Sequence, residues 1–179
     1  QRIKFIDTYI DNLTASEAKE CVNEVIRKPG YHYVVTPNAD IIVKMHQDRE
    51  LKDICEKADL ILTDGQIVVK LSRRYGTAIK ERVCMTDFVW DVFDLAIEKE
   101  YKIFLLGGKE EILSKATENV KKKLPKLNIV DSYSPPFGFE KDKKALAETN
   151  ERIRNSHADI LIVFLGCPKQ EKFIAQNKD

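Results

Sequence analysis

Residues 33–40 read Tyr33-Val34-Val35-Thr36-Pro37-Asn38-Ala39-Asp40, and residues 60–65 read Leu60-Ile61-Leu62-Thr63-Asp64-Gly65. Each is an apolar run that breaks into polar, turn-forming residues. An apolar run without polar alternation is a strand buried on both faces, the signature of a parallel sheet covered by helices. In such sheets ligands bind at the carboxyl ends of strands. Thr36, Asn38 and Asp64 occupy these two ends, which points to one site assembled from separate parts of the chain.

The same grammar recurs twice. Lys102 to Leu106 runs into Gly107-Gly108-Lys109, and Asp159 to Leu165 runs into Gly166-Cys167-Pro168-Lys169-Gln170-Glu171. If the strands are parallel, all four ends lie along one edge. Asn128 to Asp131 is a further short strand. Helices are expected between them. Thr14-Ala15-Ser16-Glu17 fits a capping box, followed by one apolar face of Ala18, Cys21, Val22, Val25 and Ile26, with Pro29-Gly30 as the stop. Residues 39–57 read as largely helical with Ile42, Met45 and Ile54 inward. Gln66 to Tyr75 is helical and ends at Gly76. Thr86 is expected to cap a helix with Val89, Val92, Phe93, Ala96 and Ile97 on its inner face. Glu110 to Leu124 and Lys141 to Asn155 are also helical. Ser132 to Phe139 is a loop, because Pro135 and Pro136 remove backbone donors. The expected fold class is α/β, a Rossmann-like, mainly parallel sheet with helices on both faces. Residues 1–179 are expected to form a single catalytic domain.

Composition narrows the function. The chain of 179 residues is 43% hydrophobic, enough for a core, and its 30 basic and 29 acidic residues leave a net charge of +1. Bulk binding to nucleic acid needs a basic surplus, so no nucleic-acid partner is expected. Cys21, Cys55, Cys84 and Cys167 form neither a CxxC pair nor a zinc spacing, consistent with reduced thiols in a cytoplasmic protein. His32, His46 and His157 are scattered, and no Asp-X-Asp pair is present, so no metal site is expected. No apolar stretch approaches the ~20 residues that span a bilayer.

Several residue types carry chemistry at the strand ends. Asp64 is the best candidate for a general base, a role that competes with capping of the next helix. Gly107 and Gly108 suit close approach of a phosphate to backbone amides, although Glu110 and Glu111 follow and neither GxGxxG nor a Walker A loop is present. Arg82 and Lys169 can balance a diphosphate or simply be solvated. Tyr133 and Phe137 can stack on a base or sugar or anchor their loop. Cys167 has no His partner and reads as structural.

The ordered set resembles the WecG/TagA/CpsF family of bacterial glycosyltransferases (glycosyltransferase family 26). The strings that carry the resemblance are Thr36-Pro37-Asn38-Ala39-Asp40, Ala58-Asp59-Leu60 through Asp64-Gly65, Glu81-Arg82-Val83, Phe104-Leu105-Leu106-Gly107-Gly108, Pro135-Pro136-Phe137-Gly138 and Gly166-Cys167-Pro168-Lys169-Gln170-Glu171. Two departures stand out: Gln66-Ile67 and Cys84-Met85 occupy places where the family usually has a glycine.

The resemblance implies inverting, metal-independent transfer of N-acetylmannosamine from UDP-ManNAc to the 4-hydroxyl of GlcNAc on undecaprenyl diphosphate, in wall teichoic acid synthesis, with no cofactor. It implies Asp64 as base with Thr36 beside it. Asn38, Arg82, Gly107, Gly108, Tyr133, Phe137, Gly138, Lys169 and Gln170 are the implied substrate-binding residues. It also implies work at the inner face of the plasma membrane, docked through a C-terminal tail expected beyond Asp179. A homo-oligomer stays open. The competing readings are a nucleotide-binding domain without catalysis, a family member using another UDP-sugar, a Rossmann-like oxidoreductase and a scaffold.

Overall fold

The computed structural model describes residues 1–177. It is a mixed α/β fold in which parallel strands are flanked by helices, as expected for a Rossmann-like architecture. Two compact units divide it: residues 1–92 with residues 174–177, and residues 93–173.

The first unit opens with a hairpin that the sequence reading did not anticipate. Strands β1 (Arg2–Phe5) and β2 (Thr8–Asp11) pair antiparallel, with Phe5 opposite Thr8. The two turn residues are Ile6 and Asp7, and Ile6 takes φ 56°. Tight hairpins announce themselves through Asn-Gly or Gly-X at such positions. A β-branched residue there gives no signal and carries strain. Helix α1 (Ala15–Ile26) begins with the expected capping box: the Glu17 amide donates to Thr14 Oγ1 at 3.2 Å, and the Thr14 amide donates to Glu17 Oε2 at 2.8 Å. Ala18, Val22 and Val25 are buried as expected, whereas Cys21 and Ile26 are only half-buried.

Strands β3 (Val34–Val35) and β4 (Leu60–Ile61) pair in parallel, each shorter than its apolar run. The segment between them is two helices rather than one: α2 (Ala39–Gln47) and α3 (Arg49–Glu56) break at Asp48. Asp48 is extended, and its carboxylate accepts the Leu51 amide at 3.0 Å, so it ends one helix and caps the next. This break turns Leu51 and Cys55 inward where Ile54 had been expected; Ile42 and Met45 are buried as read. Helix α4 (Gln66–Arg74) follows, and its Val68 and Val69 join Phe5, Ile10, Ile42 and Ile79 in one core cluster. Helix α5 (Met85–Lys99) starts before Thr86, which therefore lies inside it; Cys84 provides the carbonyl that receives the Phe88 amide at 2.8 Å. Phe88, Val92, Phe93, Leu95 and Ala96 form its buried side.

The second unit is built on a three-stranded parallel sheet of order β6-β5-β7, from β5 (Ile103–Gly107), β6 (Ile129–Tyr133) and β7 (Ile160–Phe164). All five residues of the central strand β5 are buried. Helix α6 (Glu110–Lys123) links β5 to β6, and α7 (Lys143–Ser156) links β6 to β7. The chain steps to one side of β5 and then returns to the other. With right-handed crossovers, the two helices cover opposite faces. Strand β6 runs through Ser132 and Tyr133, so the Pro-Pro loop begins at Ser134, later than the sequence suggested. A short 3-10 turn, Phe139–Lys141, precedes α7. Helix α8 (Lys169–Gln176) follows β7.

Candidate active site

In the first unit the ladder between β3 and β4 continues past the regular strands. The Leu62 amide donates to Val35 O at 2.9 Å, and Pro37 O receives both the Thr63 hydroxyl at 3.3 Å and the Asp64 amide at 3.4 Å. On the other side of the same segment, the Val83 amide donates to Thr63 O at 3.0 Å. Three extended stretches, 34–37, 60–64 and 82–83, thus lie side by side. Their register sets Arg82 next to Asp64.

Arg82 Nη1 is 4.0 Å from Asp64 Oδ1, and its Nη2 is 3.6 Å from Asp87 Oδ2. Asp64 and Arg82 are each about one-third exposed or less, with side-chain accessibilities of 27% and 34%. Asp87 is well exposed. The competition between base and helix cap at Asp64 is decided by the backbone: the N-cap of α4 is Gly65, and no side chain caps that helix. The carboxylate therefore has no capping duty. Gly65 is extended, not left-handed; its requirement is space, because a Cβ there would lie 2.7 Å from Val68 Cγ2.

Asn38 has the opposite outcome. Its Oδ1 accepts the Ile41 amide at 3.0 Å and caps α2, so only its Nδ2 can serve a ligand. The Thr36 hydroxyl has no partner among the described residues. The 36–38 turn thus presents one hydroxyl and one amide N–H₂ in the unit that holds Asp64.

In the second unit the ends of β5 and β7 meet at the point where the strand order reverses, the usual crevice of open parallel sheets. Gly107 has φ 104°, and a Cβ would lie 2.9 Å from the carbonyl carbon and oxygen of Phe164. This glycine is required by the close approach of the two strands. Gly108 (φ 80°) and Gly166 (φ 78°) instead face open space. The Gly108 carbonyl accepts the Ser134 hydroxyl at 2.6 Å, which ties the Pro-Pro loop to the glycine pair.

That loop is anchored by a residue the sequence reading passed over. Phe139 is buried and packs on Phe173 at a centroid distance of 5.6 Å. Phe137 is fully exposed and anchors nothing; Lys169 Nζ lies 5.3 Å from its ring centre. Tyr133 belongs to β6, and one face of its ring is already covered by the Arg152 guanidinium at 4.3 Å. Arg152 is held there by Asp131, through contacts of 2.6 and 3.0 Å that also raise its pKa. Gly138 has φ 80° and opens the 3-10 turn.

Lys169 also pairs with Glu140 at 3.3 Å. Burial pushes the Glu140 carboxyl up, but its own backbone amide and Lys169 outweigh this and hold it below the usual range. Gln170 is locked at both ends: its Oε1 accepts the Gly166 amide at 3.2 Å and its Nε2 donates to Glu171 Oε1 at 3.0 Å. Glu171, the last residue of the Gly166–Glu171 string, is buried, whereas Glu140, Asp87 and Arg152 carried no distinctive spacing that would have singled them out.

A surface cleft of about 630 Å³ beside β6 and α7 is lined by Val130, Asp131, Glu148, Arg152 and Ser156 among others. None of the expected site residues lines it. Its walls lack the converging strand ends described above.

Comparison with known proteins bears on these strand ends. The family model described as "Glycosyl transferase WecG/TagA/CpsF family" matches residues 3–179. The N-acetylglucosaminyldiphosphoundecaprenol N-acetyl-beta-D-mannosaminyltransferase of Bacillus spizizenii (strain ATCC 23059 / NRRL B-14472 / W23) is 31% identical over 142 residues, 79% of this chain and 53% of that protein. The protein of the same name from Bacillus subtilis (strain 168) is 29% identical over 141 residues, again 79% of this chain and 53% of that protein. The chain spans about half the length of these curated relatives. The match of a single family model to almost every residue, through both units and all four strand ends, places this chain in the WecG/TagA/CpsF family of glycosyl transferases.

Proposed function

We propose that the chain carries the transfer chemistry of an inverting glycosyltransferase. It moves N-acetylmannosamine from UDP-ManNAc to the 4-hydroxyl of GlcNAc on undecaprenyl diphosphate, forming a β-1,4 linkage in wall teichoic acid synthesis at the inner face of the plasma membrane. The names of the Bacillus relatives support the acceptor and the transferred sugar class. The observation that supports the chemistry best is Asp64, a strand-end carboxylate relieved of helix capping and 4.0 Å from Arg82.

Asp64 accepts the proton of the GlcNAc 4-hydroxyl as that oxygen attacks the anomeric carbon. The bond to UDP breaks on the opposite face, and UDP leaves with the bonding pair. Base catalysis of this kind contributes about 10²–10⁴-fold. Arg82 supplies fixed positive charge to the diphosphate. The Thr36 hydroxyl and the Asn38 Nδ2 orient sugar hydroxyls. The second unit, taken by itself, offers ligand contacts of its own: the backbone at Gly108 and Gly138 faces open space, Phe137 has an exposed ring, and Lys169 and the second N–H of Gln170 Nε2 are donors.

The test is a donor screen with a lipid-linked GlcNAc acceptor, read by mass spectrometry. Transfer from UDP-ManNAc, with little from its uronic acid or from UDP-hexoses, is the expected result. UDP binding without transfer from any donor overturns the catalytic reading in favour of a binding domain.

A further inference from the structure

Helix α4 follows Asp64-Gly65 directly and has an unusual outer face. Val68, Val69 and Ser72 point into the first unit and are buried. On the solvent side, Ile67, Leu71 and Tyr75 recur at i, i+4 and i+8 and are 61%, 39% and 63% exposed. Beside this stripe stand Lys70, Arg73 and Arg74, all exposed and without an ion pair among the described residues. From Gly65 to Lys80 the sequence contains four basic residues and no acid. The fourth, Lys80, is spent on Glu17 at 2.8 Å.

A water-facing helix needs no such apolar stripe; of the three, Tyr75 also meets the core, edge-on to Phe5 at a centroid distance of 6.5 Å, and still leaves most of its ring exposed. We propose that the outer face of α4 docks on an anionic lipid surface. The apolar side chains enter the boundary between headgroups and acyl chains, while the long Lys and Arg stems lie along it with their charges at the phosphates. Charge selects this occupant over a second copy of the chain. An isologous contact repeats the same patch on both partners, and here it would set two wholly basic faces against each other. An anionic bilayer complements them.

The helix has only nine residues, so apolar burial alone is weak and binding depends on anionic lipid. The stripe runs along the helix axis, so the docking is parallel to the surface. The docking gives the lipid-linked acceptor proposed above a route to Asp64, but it is measured without any transfer reaction.

The experiment is co-sedimentation of the intact chain with vesicles of phosphatidylcholine, with and without phosphatidylglycerol, with circular dichroism confirming the fold of each variant. The chain is expected to bind only the anionic vesicles and to be released by salt. Each neutralised basic residue is worth about fivefold in binding. Lys70→Glu combined with Arg74→Glu should thus lower binding at least about 25-fold, and Ile67→Ser with Leu71→Ser should lower it at unchanged charge. Equal binding by the charge-reversed variant, or no binding to anionic vesicles, overturns the proposal. So does sedimentation equilibrium showing a dimer that Ile67→Ser with Leu71→Ser abolishes while vesicle binding is untouched. A transfer-inactive chain that still binds vesicles leaves the docking intact and rejects only the enzymatic reading.

Discussion

Arg82 lies between two carboxylates, with one guanidinium nitrogen 4.0 Å from Asp64 and the other 3.6 Å from Asp87. The two contacts are unequal in setting. Asp64 is largely covered and sits at a strand end, whereas Asp87 is open to solvent on the first turn of α5. Exposed ion pairs contribute little, so Arg82 is held mainly by its backbone neighbour Val83, bonded to Thr63, rather than by Asp87.

Asp64→Asn removes the base and keeps the shape. In the transfer-competent enzyme, turnover should fall about 10²–10⁴-fold, while UDP affinity measured by calorimetry changes little. Near-normal turnover would remove Asp64 from the mechanism.

Arg82→Gln should slow transfer strongly, because it takes fixed charge from the diphosphate. Asp87→Asn, at the exposed end of the same guanidinium, should leave both the rate and the melting temperature nearly unchanged. Equal losses from the two variants would mean that the pair to Asp87 sets the position of Arg82.

Asn38 allows structure and ligand contact to be separated. Asn38→Ala loses the α2 cap and should cost about 1 kcal/mol of stability. Asn38→Asp keeps an oxygen for the Ile41 amide but loses Nδ2. Denaturant unfolding should find Asn38→Asp near wild type, while the transfer assay finds it impaired. Full activity would show that the amide N–H₂ touches no substrate.

The two glycines after β5 should respond differently to alanine. At Gly107 a Cβ meets the Phe164 carbonyl at 2.9 Å, and this backbone contact has no flexible end to yield. Gly107→Ala should destabilise the chain by well over the ~1–2 kcal/mol of left-handed strain. Gly108→Ala carries only that strain, because nothing lies within 4 Å. Thermal melts that rank the two variants equally would contradict the close approach of β5 and β7.

Tyr31 donates its hydroxyl to Ile174 O at 2.8 Å, and burial raises its pKa to about 12. A raised folded value means that the unfolded chain ionises first. The contribution is complete below the ordinary pKa of about 10 and is lost as pH rises from there through about 12. Burial raises the pKa of the Tyr33 hydroxyl as well, so ultraviolet titration should show late-ionising tyrosines of which Tyr31→Phe deletes one, and that variant should lose less stability on going to alkaline pH.

Much of the fold was written locally. Buried parallel strands need unbroken apolar residues, and β5 and β7 were legible for that reason. The Thr14-Glu17 capping box and the stop at Gly76 are short-range chemistry and appeared where read. Even the four strand ends could be located, because Thr, Asn, Asp and Gly mark the passage from strand to helix. What the sequence could not fix were features set by contact with distant residues. The hairpin at Ile6 has no turn residue to announce it and is held by the pairing of its strands. The break at Asp48 shifts the inward face from Ile42 and Met45 to Leu51 and Cys55, and no proline or glycine marks it. Whether a polar strand-end residue caps a helix or stays free depends on backbone angles one residue away, and it came out one way for Asn38 and the other for Asp64. Tyr133 lost one face of its ring to Arg152, a neighbour from another element. Arg82 reached Asp64 only because the Val83 amide bonds to Thr63. Sequence alone determined which residues could do chemistry, since that follows from side-chain type and local propensity. Tertiary structure decided which of them are at liberty to do it, since each polar group must first satisfy its partners within the fold.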